Sequence, residues 1–538
     1  MKAYLRHLED QIRQNPTQAV LCDYGGVSYT YADLAKYIEL YHIFFRNIGI
    51  RKGDKIALCA KNSASWAVAF LAVNTYGAVI VPLLADFTPE SAAHLVDHSD
   101  SVLLFVDPDM WKRMDVSIMP RLRAAINAKA DKLLWSAGKK YETAWRHRKK
   151  QFLGLHPDGI QPEKVSFNGF SEEDLAIINY TSGTSGDPKG VMLSYSAMSD
   201  MVEYLQGKLG SEPDQLVSML PLAHMYGLTF EFIYPCCTGY TIHFLGKAPS
   251  PSLLLKALQE IQPGIMITVP LIMEKLHKML VAPQLAAQHH RMIRLNSLFY
   301  KSLGKKVLKE LGGRVHTIII GGAPLNWEVE CNFRQIGLPY VVGYGMTEAC
   351  PLLAYESADK YVPGSCGKPI HSIRIDSSDP ENIPGEIQAQ GPNLTIGYYK
   401  NPEADAAART EDGWFRTGDL GTLDSAGNLF IRGRIKALIL SATGQNIYPE
   451  EIEHLLETHP YVKESVVVDR GGKVVALVYP DAEGIASMDE RDHQEVPEII
   501  RAQINTKLPA YSQISRLELV DMPLVRTAKG TVKRHLYQ

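Results

Sequence analysis

Residues Tyr180 to Val191 read Y-T-S-G-T-S-G-D-P-K-G-V, and the rest of the chain can be organised around them. Gly183, Gly186 and Gly190 lie among the hydroxyls of Thr181, Ser182, Thr184 and Ser185, and Lys189 follows. Glycine admits positive φ and lets backbone approach a ligand closely. Successive backbone N–H groups and hydroxyls can cradle phosphate oxygens, to which a lysine adds a point charge. The spacing departs from the Walker pattern G-x-x-x-x-G-K-[ST], because Pro188 precedes the lysine and Gly190 follows it. A flexible glycine–serine linker is the competing reading. Linkers rarely lie between apolar runs; here the strand-like L-A-I-I-N-Y (Leu175 to Tyr180) enters and V-M-L-S-Y (Val191 to Tyr195) leaves.

Upstream, strand and helix patterns alternate. Thr30 is an N-cap before a helix running to about Ile48. Gly53 to Ala60 reads as a buried strand and Ser65 onward as a helix. The apolar stretch Trp66 to Ala85 nearly reaches membrane-spanning length. Asn74, Thr75, Gly77 and Pro82 interrupt it, so a buried helix ending at Gly77 followed by the strand A-V-I-V-P-L accounts for it better. Ser101 to Val106 is another strand. The stretch from about Trp111 to Phe170 reads as irregular; its basic run W-R-H-R-K-K (Trp145 to Lys150) is a solvated face or a weak contact with anionic lipid.

Downstream, Gln215 to Gly227 is a strand breaking at Pro221. His224 then falls at a strand end, where open parallel sheets hold their sites. The apolar, aromatic Phe230 to Tyr240 reads as core or as the lining of an apolar tunnel. Ile261 to Leu276 reads as strand, proline and helix, and residues 284–308 as helical. Val315 to Leu325 and Val341 to Pro351 are buried strands ending in glycine turns. Alternation of this kind implies a mainly parallel sheet covered by helices on both faces. From Gly364 short alternating strands give a β-rich subdomain. Residues 434–538 show a small α/β pattern, with helices at Pro449 to Thr458 and Pro497 to Lys507 and strands at Glu464 to Val468 and Lys473 to Val478. The expected organisation is α/β: a large N-terminal domain over 1–433, its β-rich part at about 364–433, and a small, mobile α+β domain over 434–538.

A chain of 538 residues is too long for one core. Its net charge of −3 gives no electrostatic support for nucleic-acid binding. Seven cysteines without metal-type spacing fit a reducing, cytoplasmic compartment, and the charged N-terminus M-K-A-Y-L-R-H-L-E-D does not read as a signal peptide.

The 181–190 loop resembles the phosphate loop of the adenylate-forming superfamily, which comprises acyl-CoA synthetases, luciferases and peptide-synthetase adenylation domains. The later motifs narrow the resemblance to long-chain fatty acid–CoA ligases, and it spans nearly the whole chain. It implies that ATP and CoA are co-substrates, with Mg2+ on the triphosphate held by oxygen ligands. In Y-G-M-T-E (Tyr344 to Glu348), Glu348 matches the metal-binding glutamate, with Thr181 as hydroxyl partner. Tyr344 and Gly345 would lie near adenine, and Thr347 would reach the α-phosphate. G-G-A-P (Gly321 to Pro324) matches the adenine and acyl wall, with Gly322 and Ala323 against the base. In W-F-R-T-G-D-L-G (Trp414 to Gly421), Asp419 would accept hydrogen bonds from both ribose hydroxyls, and Arg434 in G-R-I-K would add a contact. His224 would lie near the acyl carboxylate. Lys436 falls at the hinge about which the C-terminal domain turns between the two half-reactions, and Leu438 to Glu453 would line the pantetheine path.

One departure stands out. The family places a threonine, two variable residues, a glycine and then the catalytic lysine near the C-terminus. In R-T-A-K-G-T-V-K-R (Arg526 to Arg534), Thr527 and Gly530 match but Thr531 takes the lysine's place. The α-phosphate needs a cation as the carboxylate attacks. In an extended tail, Lys529 and Lys533 flank the gap at offsets that keep the same face. Lys529 is taken as the substitute, with Lys533 or no substitute left open. The expected activity is conversion of a medium- or long-chain fatty acid to acyl-AMP and then acyl-CoA. Two alternatives stay open: a ligase that hands the acyl group to a carrier protein, and a degenerate member that binds without turnover.

Overall fold

The run before the glycine-rich loop and the run after it form one antiparallel hairpin within an eight-stranded sheet. The computed structural model describes residues 2–181, 188–246, 249–288, 296–440, 446–482, 485, 495–526 and 532–538. These fall into two compact units. The first comprises Met1–Leu325, Asn332–Tyr361 and Gly391–Ala407; the second comprises Asn326–Cys331, Val362–Gln390 and Ala408–Gln538.

In the first unit the central sheet is built from β1 (Lys55–Cys59), β2 (Val79–Leu83), β3 (Leu103–Val106), β4 (Ala124–Asn127), β5 (Leu133–Ser136), β6 (Leu175–Thr181) and β7 (Lys189–Ser194). The short strand Gly397–Tyr398 pairs on the outer side of β7. Pairing is parallel from β6 through β2, β1 and β3 to β4, and antiparallel at both ends. A second sheet holds β8 (Gln215–Ser218) and β9 (Thr241–Phe244), and a third holds β10 (Ile265–Thr268), β11 (Thr317–Ile320) and β12 (Tyr340–Val342), all parallel.

Helix α1 (Tyr31–Asn47) starts at Thr30, whose side chain accepts from Asp33 N while the Asp33 carboxylate accepts from Thr30 N. Such a capping box contributes about 1 kcal/mol. Helix α2 (Ala64–Tyr76) is apolar on nearly all sides and buried along its length. Gly77, at φ +84°, ends it, and a Cβ there would lie 2.0 Å from Gly169 O. That apolar stretch is thus a core helix followed by β2, and among the described residues no helix is long and apolar enough to cross a membrane.

The expected irregular stretch from Trp111 to Phe170 is corrected: it contains β4, β5 and the helix α3 (Lys139–Leu155). Tyr141, Ala144, Trp145, Arg148 and Phe152 face inward at helical spacing. The basic run is therefore divided. Trp145 meets Phe44 edge-on at 5.1 Å, and Arg148 stacks 3.5 Å over the Trp145 ring and pairs with Asp131. Arg146, His147, Lys149 and Lys150 remain exposed.

The second unit contains an antiparallel sheet of Ser372–Asp376, Gly385–Gln390, Phe415–Leu423 and Leu429–Arg434. It also contains a three-stranded sheet of Val462–Asp469, Val474–Pro480 and Arg516–Leu519. Helices α4 (Pro449–Glu457) and α5 (Val496–Asn505) cover that sheet, burying Ile452, Leu456, Ile500 and Ile504 against Val467 and Val478.

Candidate active site

The hairpin that carries the glycine-rich loop closes where Thr181 and Lys189 pair across β6 and β7. Ser182, Gly183, Thr184, Ser185 and Gly186 lie outside the described residues. Gly190 is required by packing: a Cβ there would lie 2.9 Å from Ile178 Cγ2 and 3.2 Å from the Tyr180 ring. Lys189 is half-buried, and its Nζ sits 4.9 Å from the centroid of the Tyr398 ring.

Glu348 lies on a 3-10 turn, Thr347–Ala349, just beyond the end of β12. Its side chain is buried, and Tyr398 Oη donates to Glu348 Oε1 at 3.0 Å. Thr395 N donates to Glu348 O at 2.7 Å and fixes the turn. In the preceding pair Tyr344 lies opposite Ala354 and Gly345 opposite Leu352. A Cβ on Gly345 would fall 1.9 Å from Pro351 O, so only glycine fits.

The glycine turn at Gly321 to Pro324 leaves the end of β11, with Gly322 at φ +90° and Ala323 exposed. Tyr226, two residues after His224, locks this turn to its neighbours. Its hydroxyl donates to Thr268 O at 3.2 Å and Ile319 O at 3.0 Å, and a Cβ on Gly321 would touch its ring at 3.0 Å.

His224 is half-buried at the start of a helical segment. The loop before it is held by buried polar groups. Asn179 Nδ2, on β6, donates to Ala223 O at 2.8 Å. Asn62 donates to Leu220 O and accepts from Leu222 N. Glu231 accepts from Ser218 Oγ, Met219 N and Leu220 N at 2.9 to 3.2 Å. It is fully buried in a π-helical stretch, Leu228–Ile233, and burial pushes its carboxyl up to about 8. Sequence reasoning missed Glu231; the signal was a lone acid in the apolar run F-E-F-I-Y-P-C-C. Phe232, in the same run, packs edge-on to Trp66 and Phe70 as core. Tyr398 was missed too, because the pairing that brings it to Lys189 joins segments far apart in the chain.

In the first unit, therefore, Thr181, Lys189, His224, Gly322 and Glu348 all lie at or just beyond strand ends that buried side chains tie together. In the second unit Asp419 and Arg434 are cross-strand partners, with Arg434 Nε 3.2 Å from the buried Asp419 Oδ1. Lys436 sits on an exposed 3-10 turn, Ile435–Ala437.

At the C-terminus Thr527, Lys529, Gly530 and Thr531 lie outside the described residues. The segments on either side of them run together: Arg526 and Val532 form an antiparallel bridge, and Lys533 N donates to Val525 O at 2.8 Å. Arg534 is taken up by Glu453 and Glu450 of α4.

Among the described residues no three of His, Cys, Asp and Glu gather as a metal-binding group. A metal caged by protein alone is not built there. A buried carboxylate oriented by one phenol suits a Mg2+ that takes one protein carboxylate and completes its shell from phosphates and water. Glu348 has that character.

The AMP-binding enzyme family model matches residues 8–399, and the AMP-binding enzyme C-terminal domain model matches 436–538. The chain is 27% identical to the long-chain-fatty-acid–CoA ligase FadD15 of Mycobacterium bovis over 501 residues, covering 86% of this chain and 79% of the relative. It is 28% identical to feruloyl-CoA synthase of Amycolatopsis sp over 543 residues, covering 97% of this chain and 96% of the relative. The crystal structure of ATP-bound MatB from Rhodopseudomonas palustris shares the fold, with a TM-score of 0.77 at 24% identity over 100% of this chain and 98% of that one. Lys189 and Glu348 meet at Tyr398, and these matches place the chain in the AMP-binding enzyme family, as an AMP-forming acid–CoA ligase that uses ATP and CoA.

Proposed function

We propose that the chain activates a medium- or long-chain fatty acid. The acyl carboxylate attacks the α-phosphate of ATP, giving acyl-AMP and pyrophosphate; the CoA thiol then displaces AMP. The observation that carries the ATP-dependent step is the linkage of Lys189, Tyr398 and Glu348 beside the Thr181–Lys189 closure. It pairs a cation for phosphate with a carboxylate for Mg2+. Thr181 and residues Ser182 to Gly186 hold the triphosphate, with Thr181 also on the metal. Thr347 reaches the α-phosphate, Tyr344, Gly345, Gly322 and Ala323 border adenine, and Asp419 and Arg434 hold the ribose. His224 borders the acyl carboxylate. Residues 434–538 act as a lid turning at Lys436, and Lys529 supplies the cation missing at Thr531. Mg2+, when bound, draws off charge from the phosphates.

The fatty-acid assignment draws support from the long-chain ligase relatives, whereas the feruloyl-CoA relative makes an aryl acid the competing substrate. The cation-rich exposed side of α3, which ends in exposed Leu153 and Leu155, supports a peripheral contact with anionic lipid at the inner membrane face. Cytoplasmic residence fits seven cysteines, none of them in a disulfide among the described residues.

The test is pyrophosphate and AMP release from acids of graded length and from aryl acids, with and without CoA. AMP release that requires CoA and favours alkyl chains is the expected result. Pyrophosphate release with no CoA transfer would move the acceptor to a carrier protein, and no turnover with any acid would leave a binding protein.

A further inference from the structure

The short strand Gly397–Tyr398 docks on β7, with Gly397 opposite Met192 and Tyr398 opposite Val191. Strand side chains alternate between faces, so Tyr398 emerges on the side of β7 that carries Lys189. Its position is over-determined. Tyr398 N donates to Asp405 Oδ1 at 2.6 Å, Tyr399 N to Gly190 O at 2.7 Å, and Thr395 Oγ1 to Met192 O at 2.8 Å. A Cβ on Gly397 would meet Asp405 Oδ1 at 2.8 Å, which keeps the backbone close to that carboxylate. One buried side chain thus presents its ring face to the Lys189 ammonium and its hydroxyl to Glu348 Oε1.

We propose that Tyr398 is a positioning residue that sets the rotamer of Glu348 and the height of Lys189 together, so that a divalent metal and the triphosphate of ATP would meet both groups in one register. This rests on the active-site reading given above. A phenol donating to one carboxylate oxygen leaves the other to face a cation, as the partners of metal-ligating side chains do. An aromatic face holds an ammonium by its quadrupole without neutralising it, so Lys189 stays available to a triphosphate.

The experiment compares Tyr398→Phe, Tyr398→Leu and Glu348→Gln. Mn2+ binding to the enzyme–ATP complex is followed by electron paramagnetic resonance, and metal-free ATP binding by calorimetry. Thermal midpoints report folding. Tyr398→Phe keeps the ring and loses the hydroxyl. It is expected to weaken Mn2+ binding about tenfold or more, leave metal-free ATP affinity unchanged, and regain pyrophosphate release at high Mg2+. Tyr398→Leu is expected to lose metal-free ATP affinity as well. If Glu348→Gln weakens Mn2+ binding and Tyr398→Phe does not, the positioning role is overturned while the site stands. If Glu348→Gln has no effect on Mn2+, the site reading falls and the role of Tyr398 with it. Equal losses of both affinities in the two Tyr398 variants, with lowered midpoints, would reduce Tyr398 to packing and overturn the proposal.

Discussion

Asp419 and Arg434 face each other across adjacent antiparallel strands, with Arg434 Nε 3.2 Å from Asp419 Oδ1. The carboxylate is buried while the guanidinium side chain is 61% exposed. The aspartate is therefore the fixed member and the arginine the adjustable one. Asp419 N also donates to Thr417 Oγ1 at 3.1 Å, which steadies the turn.

Asp419→Ala is expected to weaken ATP binding by about 2 kcal/mol or more, since hydrogen bonds to a charged group are worth roughly 1.5–3 kcal/mol. Arg434→Ala is expected to cost less, because exposed pairs contribute little. Calorimetric titration with ATP measures both, and a folded Asp419→Ala with unchanged affinity would remove the ribose role.

Glu231 gives the fold a pH dependence. Its folded-state carboxyl titrates at about 8, raised by burial, against an ordinary value of 4.5. The folded state holds the proton more tightly than the unfolded chain does. Stability from this group is therefore complete below about 4.5. It declines by ~1.4 kcal/mol for each pH unit above that, until the folded carboxyl has itself ionised past about 8. The melting midpoint is expected to fall between pH 6 and pH 9, and Glu231→Gln is expected to flatten that slope. Glu231→Ala strands Ser218 Oγ, Met219 N and Leu220 N, each at about 1–3 kcal/mol. A wild-type midpoint that rises over that range would contradict this account.

Acyl affinity is expected to climb with chain length by about 0.8 kcal/mol, or roughly fourfold, per buried CH2 until the site is full. The ratio kcat/KM across a series from acetate to palmitate reads this directly. A flat profile would point to a different acid class.

Lys529→Ala is expected to abolish acyl-AMP formation while thioester synthesis from supplied acyl-AMP continues. Lys533→Ala is expected to retain both half-reactions, since its backbone is fastened beside Val525. Single-turnover assays of each half-reaction separate the two, and adenylation surviving in both variants would take the tail out of the chemistry.

Arg534→Met is expected to destabilise the C-terminal segment by about 1–3 kcal/mol, because the half-buried Glu453 loses a charged donor and keeps Val467 N alone of the two. Burial raises Glu453 to about 7 despite that arginine. Chemical denaturation followed on the second unit checks this.

Most strands could be read from the sequence because their periodicity is local. Lys55–Cys59, Val79–Leu83 and Thr317–Ile320 are short apolar runs with glycine near their edges, and Thr30 and Gly77 mark helix ends by their own chemistry. Helix α3 escaped notice because arginine occupies one of its inward positions, where a stacked and paired guanidinium does the work of an apolar side chain. Within the candidate site, Thr181, Lys189 and Glu348 belong to motifs that carry their spacing with them. Glu231 and Tyr398 do not: a charge in a hydrophobic run and a tyrosine on a two-residue strand acquire meaning only from long-range pairing.

The Thr181–Lys189 closure makes β7 a matter of parity. Lys189, Val191 and Leu193 share one face, and Gly190 and Met192 the other. A residue lost between Lys189 and Val191, with Val191 still paired to Tyr398, would turn Lys189 through half a revolution. Lys189 would then point away from Tyr398, and a side chain would be forced into the space beside Ile178 that admits only hydrogen. The length of this strand is thus held as tightly as the glycine at position 190.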